Sequence, residues 1–237
     1  MELDKIYNAD CVEVLKNAIP NESIDLVLTD PPYKIGVRGS VGTMGGYWKG
    51  KLARQGKIFE HNEIECQDYI DLLYDALKDG GHCYIMCNNL NMPNFFKAIS
   101  ESKFKFIKLL TWDKGNKICG RYYMTQCEHI FLLRKGKEKA VNDCGMSDLL
   151  HVKQKRDKNE DGTNIHDSQK PVELFQLLIE QSSNEGDLVF DPFMGSGTTA
   201  IAAIRTKRYF IGCEIDEKYF ELTNQRIKQE KQQLCLF

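Results

Sequence analysis

The sequence predicts an α/β fold, a mostly parallel twisted sheet with helices on both faces. Three observations predict it. Short β-branched apolar runs, such as IDLVLTD at 24–30 and DLVFD at 187–191, alternate with segments of helical period. Two of these runs end in unusual corners, TDPPY at 29–33 and DPFMGSGTT at 191–199. A third apolar run closes on Glu214, roughly 20 residues beyond the second corner, where Rossmann-type folds place an acidic side chain.

The elements follow in order. KIYNAD (5–10) reads as a short strand, and Cys11 to about Ala18 as a helix. IDLVLTD is a buried strand, being short, apolar and β-branched. After a long Gly-rich loop, EIECQDYIDLLYDALKDGG carries Ile70, Leu73 and Leu77 at helical spacing and stops at Gly80-Gly81. HCYIMCNN reads as strand and MPNFFKAISES as helix. FKFIKLLTW and CEHIFLLRK are two further strands, joined by a DKGNKICGRYY connection. The polar segment 136–167 is long for a connection, which marks it as functional or mobile. Pro171 opens the helix PVELFQLLIEQS, since proline suits a first helical turn. DLVFD (strand), GTTAIAAIR (helix), RYFIGCEI (strand) and an amphipathic helix from Asp216 to about Gln232 complete the pattern.

A length of 237 residues suits a single domain, and a hydrophobic fraction of 42% supplies its core. No apolar run approaches the roughly 18 residues that span a bilayer, and the N-terminus lacks a signal-peptide pattern. The nine cysteines form no C-x-x-C pair and sit mostly in apolar stretches, so a reducing cytoplasm is expected rather than a disulfide framework. His82, Cys83 and Cys87 are spaced loosely like metal ligands, but on a buried strand with no second pair; no metal is expected. Net charge is only −2, yet its distribution is uneven. Between Pro31 and Phe59 there is no acidic residue, while Lys34, Arg38, Lys49, Lys51, Arg54 and Lys57 are basic and Tyr47-Trp48 lies among them. Further basic stretches, 103–139 (with Lys114 and Arg121) and 152–158 (with Lys153, Lys155 and Arg156), complete a footprint suited to phosphates. A solvated loop fits the first stretch equally well when it is taken alone.

The two corners carry the chemistry. Gly195 and Gly197 permit close approach of a ligand to the backbone, and the free N–H groups of the helix start bind an anion or carboxylate. With Glu214 for ribose hydroxyls, the pair argues for a nucleoside-containing ligand. It does not separate a dinucleotide from S-adenosylmethionine, although a dehydrogenase usually carries its Gly loop near the N-terminus. In the first corner, Pro31 and Pro32 hold the Asp30 carboxylate, the Pro31 carbonyl and the Tyr33 ring in fixed relation. If the strands are neighbours, both corners share the carboxyl edge of the sheet, where ligands of open α/β sheets bind.

Together these residues resemble the β-group, permuted-order DNA amino-methyltransferases, over most of the chain. TDPPY resembles their catalytic motif and DPFMGSGTT their S-adenosylmethionine motif. NADCVEVL (8–15) resembles the segment whose Asp binds the cofactor's adenine, here Asp10 with Cys11 beside it. TWDKGNKICGRYYMTQCEHIFLLRKG resembles the family's later strand pair, and QKPVELFQLLI its helix before the Gly loop. One departure is HDSQKP, where the family often has His-Pro before the Gln-Lys-Pro. The resemblance implies a Rossmann-like S-adenosylmethionine-dependent methyltransferase fold in one domain, 1–237. It implies cofactor contacts from Asp10, Cys11, Asp30, Lys170, Asp191, Phe193, Gly195, Ser196, Gly197, Thr198 and Glu214. It makes 34–60 a basic DNA-facing loop, and 136–167 a short target-recognition segment helped by that loop or by dimerisation.

The implied reaction is methylation of adenine N6 in double-stranded DNA. Asp30 and the Pro31 carbonyl would accept from the amine, freeing its lone pair, and rigid acceptors need no rearrangement at the transition state. Tyr33 would stack on a base flipped out of the duplex. Tyr47 and Trp48 would fill the gap or pack on that base, or else pack on the domain's own surface. C5-cytosine chemistry is disfavoured because none of the six prolines precedes a cysteine. The alternatives are cytosine N4, structured RNA, protein glutamine, or a DNA-binding homologue without turnover. A cognate restriction endonuclease and a homodimer are the implied protein partners.

Overall fold

The computed structural model describes residues 1–32, 64–118, 122–155 and 169–234. Strand β1 (Lys5–Tyr7), helix α1 (Cys11–Asn17) and strand β2 (Ile24–Thr29) come first. Helix α2 (Cys66–Ala76), strand β3 (Leu77–Cys87) and helix α3 (Met92–Glu101) follow. Strands β4 (Lys105–Ile118), β5 (Thr125–Arg134) and β6 (Leu149–His151) lead to helix α4 (Val172–Ser182). Strand β7 (Leu188–Asp191), helix α5 (Thr198–Arg205), strand β8 (Tyr209–Cys213) and helix α6 (Glu217–Leu234) end the described chain.

The eight strands form one sheet in the order β1-β8-β7-β2-β3-β5-β4-β6. The first five are parallel, β5 is antiparallel to both neighbours, and β6 runs parallel to β4. Alternation along the strands builds two cores. Val27, Cys83 and Ile85 face Leu73 of α2 and Phe95 of α3, whereas Leu26, Leu28 and Tyr84 face Phe175 of α4 and Ile201 of α5. Leu73 is fully buried, so truncation to Ala would cost about 2–5 kcal/mol. This is the predicted α/β sheet with helices on both faces.

Three local expectations are corrected. Helix α2 ends at Ala76 rather than at Gly80-Gly81, and β3 already begins at Leu77. Leu77 is buried and pairs with Ile24, and the carbonyls of Asp75 and Ala76 accept the Glu22 and Ser23 N–H groups at 3.0 Å. The glycines instead serve a bulge, for β2 advances from Ile24 to Leu26 while β3 advances from Leu77 to His82. Gly80 has φ +80°, and a Cβ on Gly81 would lie 2.9 Å from the Lys78 carbonyl. Second, β4 and β5 extend into the expected connection as a hairpin ribbon. Asp113 braces it, accepting the Gly115 N–H at 2.9 Å and the Gln126 amide at 2.8 Å. Third, the polar segment 136–167 contains strand β6, with Leu150 buried against the sheet.

The direction of that segment matters. Strand β5 runs away from the carboxyl edge of the parallel strands, so residues 136–148 cross the opposite edge. There the Lys139 carbonyl accepts from His82 Nε2 at 3.0 Å, and Asn142 Nδ2 donates to the carbonyls of Glu180 (2.6 Å) and Ser183 (2.9 Å) at the end of α4. Because that carbonyl only accepts, His82 Nδ1 accepts in turn from Ser182 Oγ at 2.8 Å. His82 thus engages the α4 face, while Cys83 and Cys87 belong to the core on the other face.

Candidate active site

Four acidic residues stand at or just beyond the carboxyl ends of adjacent strands. In order across the edge they are Asp10 after β1, Glu214 after β8, Asp191 at the end of β7, and Asp30 after β2. All four line one cleft of about 1160 Å³, its open mouth included. The cleft runs along the strand ends from Asp10 to Asp30, a shape suited to an elongated molecule.

Asp191 joins the two corners. Its Oδ1 accepts from Thr29 Oγ1 at 2.8 Å and from the Phe193 N–H at 3.0 Å, and its Oδ2 accepts from Thr199 Oγ1. Burial pushes its pKa up to about 6, against the pull of these donors. Its oxygens are spent on the protein, so it shapes the cleft from beneath. Glu214 is anchored similarly: Oε2 accepts the Gly195 N–H at 2.7 Å and Oε1 the Asp216 N–H at 2.9 Å. Burial raises its carboxyl to about 7.

The Gly loop needs its glycines for different reasons. Gly195 has φ +54° with nothing nearer than 3.9 Å to an added Cβ, so conformation alone requires it. Gly197 has φ +82°, and its Cβ would meet Thr223 Cγ2 at 2.5 Å; here the close neighbour is α6, where the sequence suggested a ligand. Helix α6 braces the loop, Thr223 Oγ1 donating to the Gly195 carbonyl at 2.7 Å and Arg226 to the Ser196 carbonyl. Ser196 and Thr198 are buried in the loop, and Phe193 lines the cleft with its ring edge-on to Tyr69, centroids 5.1 Å apart. Asp10 caps α1, its Oδ1 accepting the Val12 and Glu13 N–H groups at 2.9 and 3.3 Å. Burial pushes the Cys11 thiol up to about 12, so Cys11 is a wall rather than a nucleophile.

At the other corner Pro31 is buried and Pro32 half-buried. Asp30 Oδ2 meets Lys170 Nζ at 2.5 Å, while Asp30 Oδ1 is buried and has no hydrogen-bond partner among the described residues. Burial raises the Asp30 carboxyl, and Lys170 opposes that shift. Lys170 also lies 3.5 Å from Glu128, whose other oxygen pairs with Lys114 at 2.9 Å. Lys170, expected at the cofactor, lines the cleft and pairs there with the expected catalytic carboxylate. Lys114, expected at DNA, is buried beneath it, because its ribbon position turns it inward over Trp112. Lys153 is exposed, and Lys155 pairs on the surface with Glu173 at 3.0 Å. Tyr33, Lys34, Arg38, Tyr47, Trp48, Lys49, Lys51, Arg54, Arg121 and Arg156 lie outside the described residues.

Two features escaped the sequence reading. Glu128 sits mid-strand in an ordinary apolar pattern, with no signal of its partners. Tyr122 and Tyr123, 82% and 90% exposed, project where the ribbon passes the site edge. Adjacent tyrosines in a basic connection were the available signal.

The cleft suits S-adenosylmethionine on the donor set alone. Carboxylates at Asp10 and Glu214, the Phe193 ring and the Gly-loop backbone lie at one part, and an orphaned acceptor, Asp30 Oδ1, lies at the other. Sheet order and cleft together define an α/β protein with a ligand site at the carboxyl edge of its parallel strands. The DNA methylase family profile matches residues 24–225, and the chain belongs to that family, the N6/N4 DNA methylases. It is 30% identical over 244 residues to the type II methyltransferase M2.DpnII of Streptococcus pneumoniae, covering 96% of this chain and 90% of that protein. The fold matches the M1.HpyAVI–SAM complex with TM-score 0.69 at 24% identity, over 94% of this chain and 98% of that one. It also matches the cytosine-N4-specific PvuII DNA methyltransferase with TM-score 0.72 at 17% identity, over 97% and 92%. The chain is a DNA methyltransferase. Among the described residues no helix is long and apolar enough to cross a membrane.

Proposed function

We propose that this protein methylates the N6 amine of adenine in double-stranded DNA, acting on a base flipped out of the duplex. The observation that carries the reading is Asp30 Oδ1, an acceptor without a partner among the described residues, on a side chain that lines the same cleft as the Gly loop. Such an acceptor costs about 1–3 kcal/mol if left unmet, and a target amine donating to it removes that penalty. The methyl donor is S-adenosylmethionine, which when bound supplies an electrophilic sulfonium methyl group.

The protein's own part is positional. Asp30 Oδ1 and the Pro31 carbonyl accept from the amine, which pyramidalises the nitrogen and localises its lone pair. Pro31 and Pro32 keep those acceptors rigid, and Tyr33 stacks on the base. Glu214 and Asp10 orient the adenosine part, and the Gly loop receives the remainder. The Asp in DPPY favours adenine over cytosine, where many enzymes carry Ser. Recognition falls to the ribbon tip, to residues 152–167 and to the loop 34–60, since 136–148 crosses the far edge of the sheet. The kinship to a type II methyltransferase supports a cognate restriction endonuclease, and a homodimer would enlarge this small reading surface.

The test is incubation with methyl-labelled S-adenosylmethionine and duplex DNA, RNA or protein, followed by nucleoside analysis. N6-methyladenine in DNA is expected. N4-methylcytosine would overturn the base assignment, and label confined to RNA or protein would overturn the substrate.

A further inference from the structure

Four charged side chains meet beneath the cleft: Asp30, Lys170, Glu128 and Lys114. Lys170 Nζ is 2.5 Å from Asp30 Oδ2 and 3.5 Å from Glu128 Oε2, and Lys114 Nζ is 2.9 Å from Glu128 Oε1. They form a chain of alternating sign whose charges sum to zero. Each is largely withdrawn from water, where a lone charge is strongly disfavoured and a paired one persists. The cluster spans three parts of the fold: the end of β2, the ribbon β4–β5, and the turn before α4.

We propose that Glu128 is a positioning residue for methyl transfer: it neutralises Lys114 and Lys170 together, which holds the Lys170 ammonium on one oxygen of Asp30 and reserves the other for the target amine. The inference rests on the methyl-transfer reading above and deepens it. Without Glu128, two ammonium groups would face one carboxylate. Asp30 would then be drawn wholly toward cations and would be a weaker acceptor for the amine.

The surroundings agree. Burial pushes the Glu128 carboxyl up, but Lys170 and Lys114 outweigh it and hold the group below its ordinary value. At Asp30 burial acts upward, Lys170 downward and Glu128 upward. Among the described residues, the other titratable groups coupled to this cluster are Asp191 from β7, Cys87 from β3 and His129 from β5. Burial pushes the Cys87 thiol up to about 12 and holds His129 below its ordinary value against the pull of Glu128, so both are neutral near pH 7. Among the described residues Glu128 is therefore the acidic neighbour that Lys170 shares with Asp30.

The experiment compares Glu128→Gln, Lys114→Met and the double variant with the parent enzyme, measuring kcat, KM, cofactor affinity by calorimetry and the pH profile of kcat. Glu128→Gln is expected to lose about 10- to 100-fold in kcat with cofactor affinity within about twofold, as for removal of an oriented electrostatic group. Its acid limb should move to lower pH, because a negative neighbour of Asp30 is gone. Adding Lys114→Met restores neutrality and should recover about tenfold, a non-additive result. An unchanged kcat and acid limb in Glu128→Gln, or strictly additive losses in the double variant, would overturn the inference. If Glu128→Gln alone does not fold, the charge-balanced double variant decides. Activity within about tenfold of the parent supports the proposal, and inactivity with cofactor binding intact overturns it. Absence of DNA methylation by the parent itself would instead overturn the methyl-transfer reading, and this inference with it.

Discussion

The Gly195 N–H donates to Glu214 Oε2 at 2.7 Å, which fastens the Gly loop after β7 to the end of β8. A carboxyl raised to about 7 by burial therefore stands under the Gly loop. Folding favours its protonated form, so its contribution to stability is complete below about pH 4.5, the unfolded value, and is lost as pH rises through about 7. Thermal or urea unfolding of the cofactor-free protein between pH 4.5 and 8 should show Glu214→Gln gaining on the parent as pH rises. The gain should be on the order of 3 kcal/mol across the window. A pH-independent gap between the two would remove the assigned burial effect.

Gly197→Ala should destabilise the fold by about 2–4 kcal/mol, combining a left-handed backbone with overpacking against Thr223. Shortening the neighbour with Thr223→Ala should relieve only the steric share. Denaturant midpoints of the two single variants and the double variant measure both shares, and full recovery in the double variant would rule out the backbone share.

Asp30→Ala should lower kcat by at least about 100-fold while the cofactor still binds. Cofactor calorimetry beside single-turnover kinetics separates the two effects. A loss of cofactor affinity as severe as that of Gly197→Val would contradict the division between the two corners.

Tyr122→Ala and Tyr123→Ala should leave stability unchanged, since both rings are exposed, and should weaken DNA binding by about 1–3 kcal/mol if they stack on bases. Fluorescence anisotropy at several salt concentrations checks this. DNA affinity should fall steeply with salt for the parent, and Lys153→Ala should reduce the slope by about 0.9, one phosphate contact. The tyrosine variants should leave the slope unchanged.

The two corners are legible in the sequence because each is a local string directly after a buried strand, and Asp10 and Glu214 are likewise placed just beyond strand ends. The partners of Asp30 are not legible in that way. Lys170 reaches it across 140 residues, and Glu128 and Lys114 join through cross-strand pairing that no local pattern announces. Lys114 reads as one more basic residue of a basic stretch, because burial is decided by the ribbon it sits on. Gly80-Gly81 is ambiguous for a related reason: the same dipeptide stops a helix or bulges a strand, and the pull of Leu77 into the sheet beside Ile24 decides. Strand β6 is three residues long, too short to carry a period.

The bond from Thr29 to Asp191 spans 162 residues of chain, and β7 fills the side of β2 that β3 leaves open. During synthesis the ribosome therefore delivers a central apolar strand long before its second neighbour exists. A nascent chain halted before residue 188 carries that strand with one bare edge, a template for pairing with other chains. The late place of β7 in the chain thus leaves one edge of β2 open until residues 188–191 have been made.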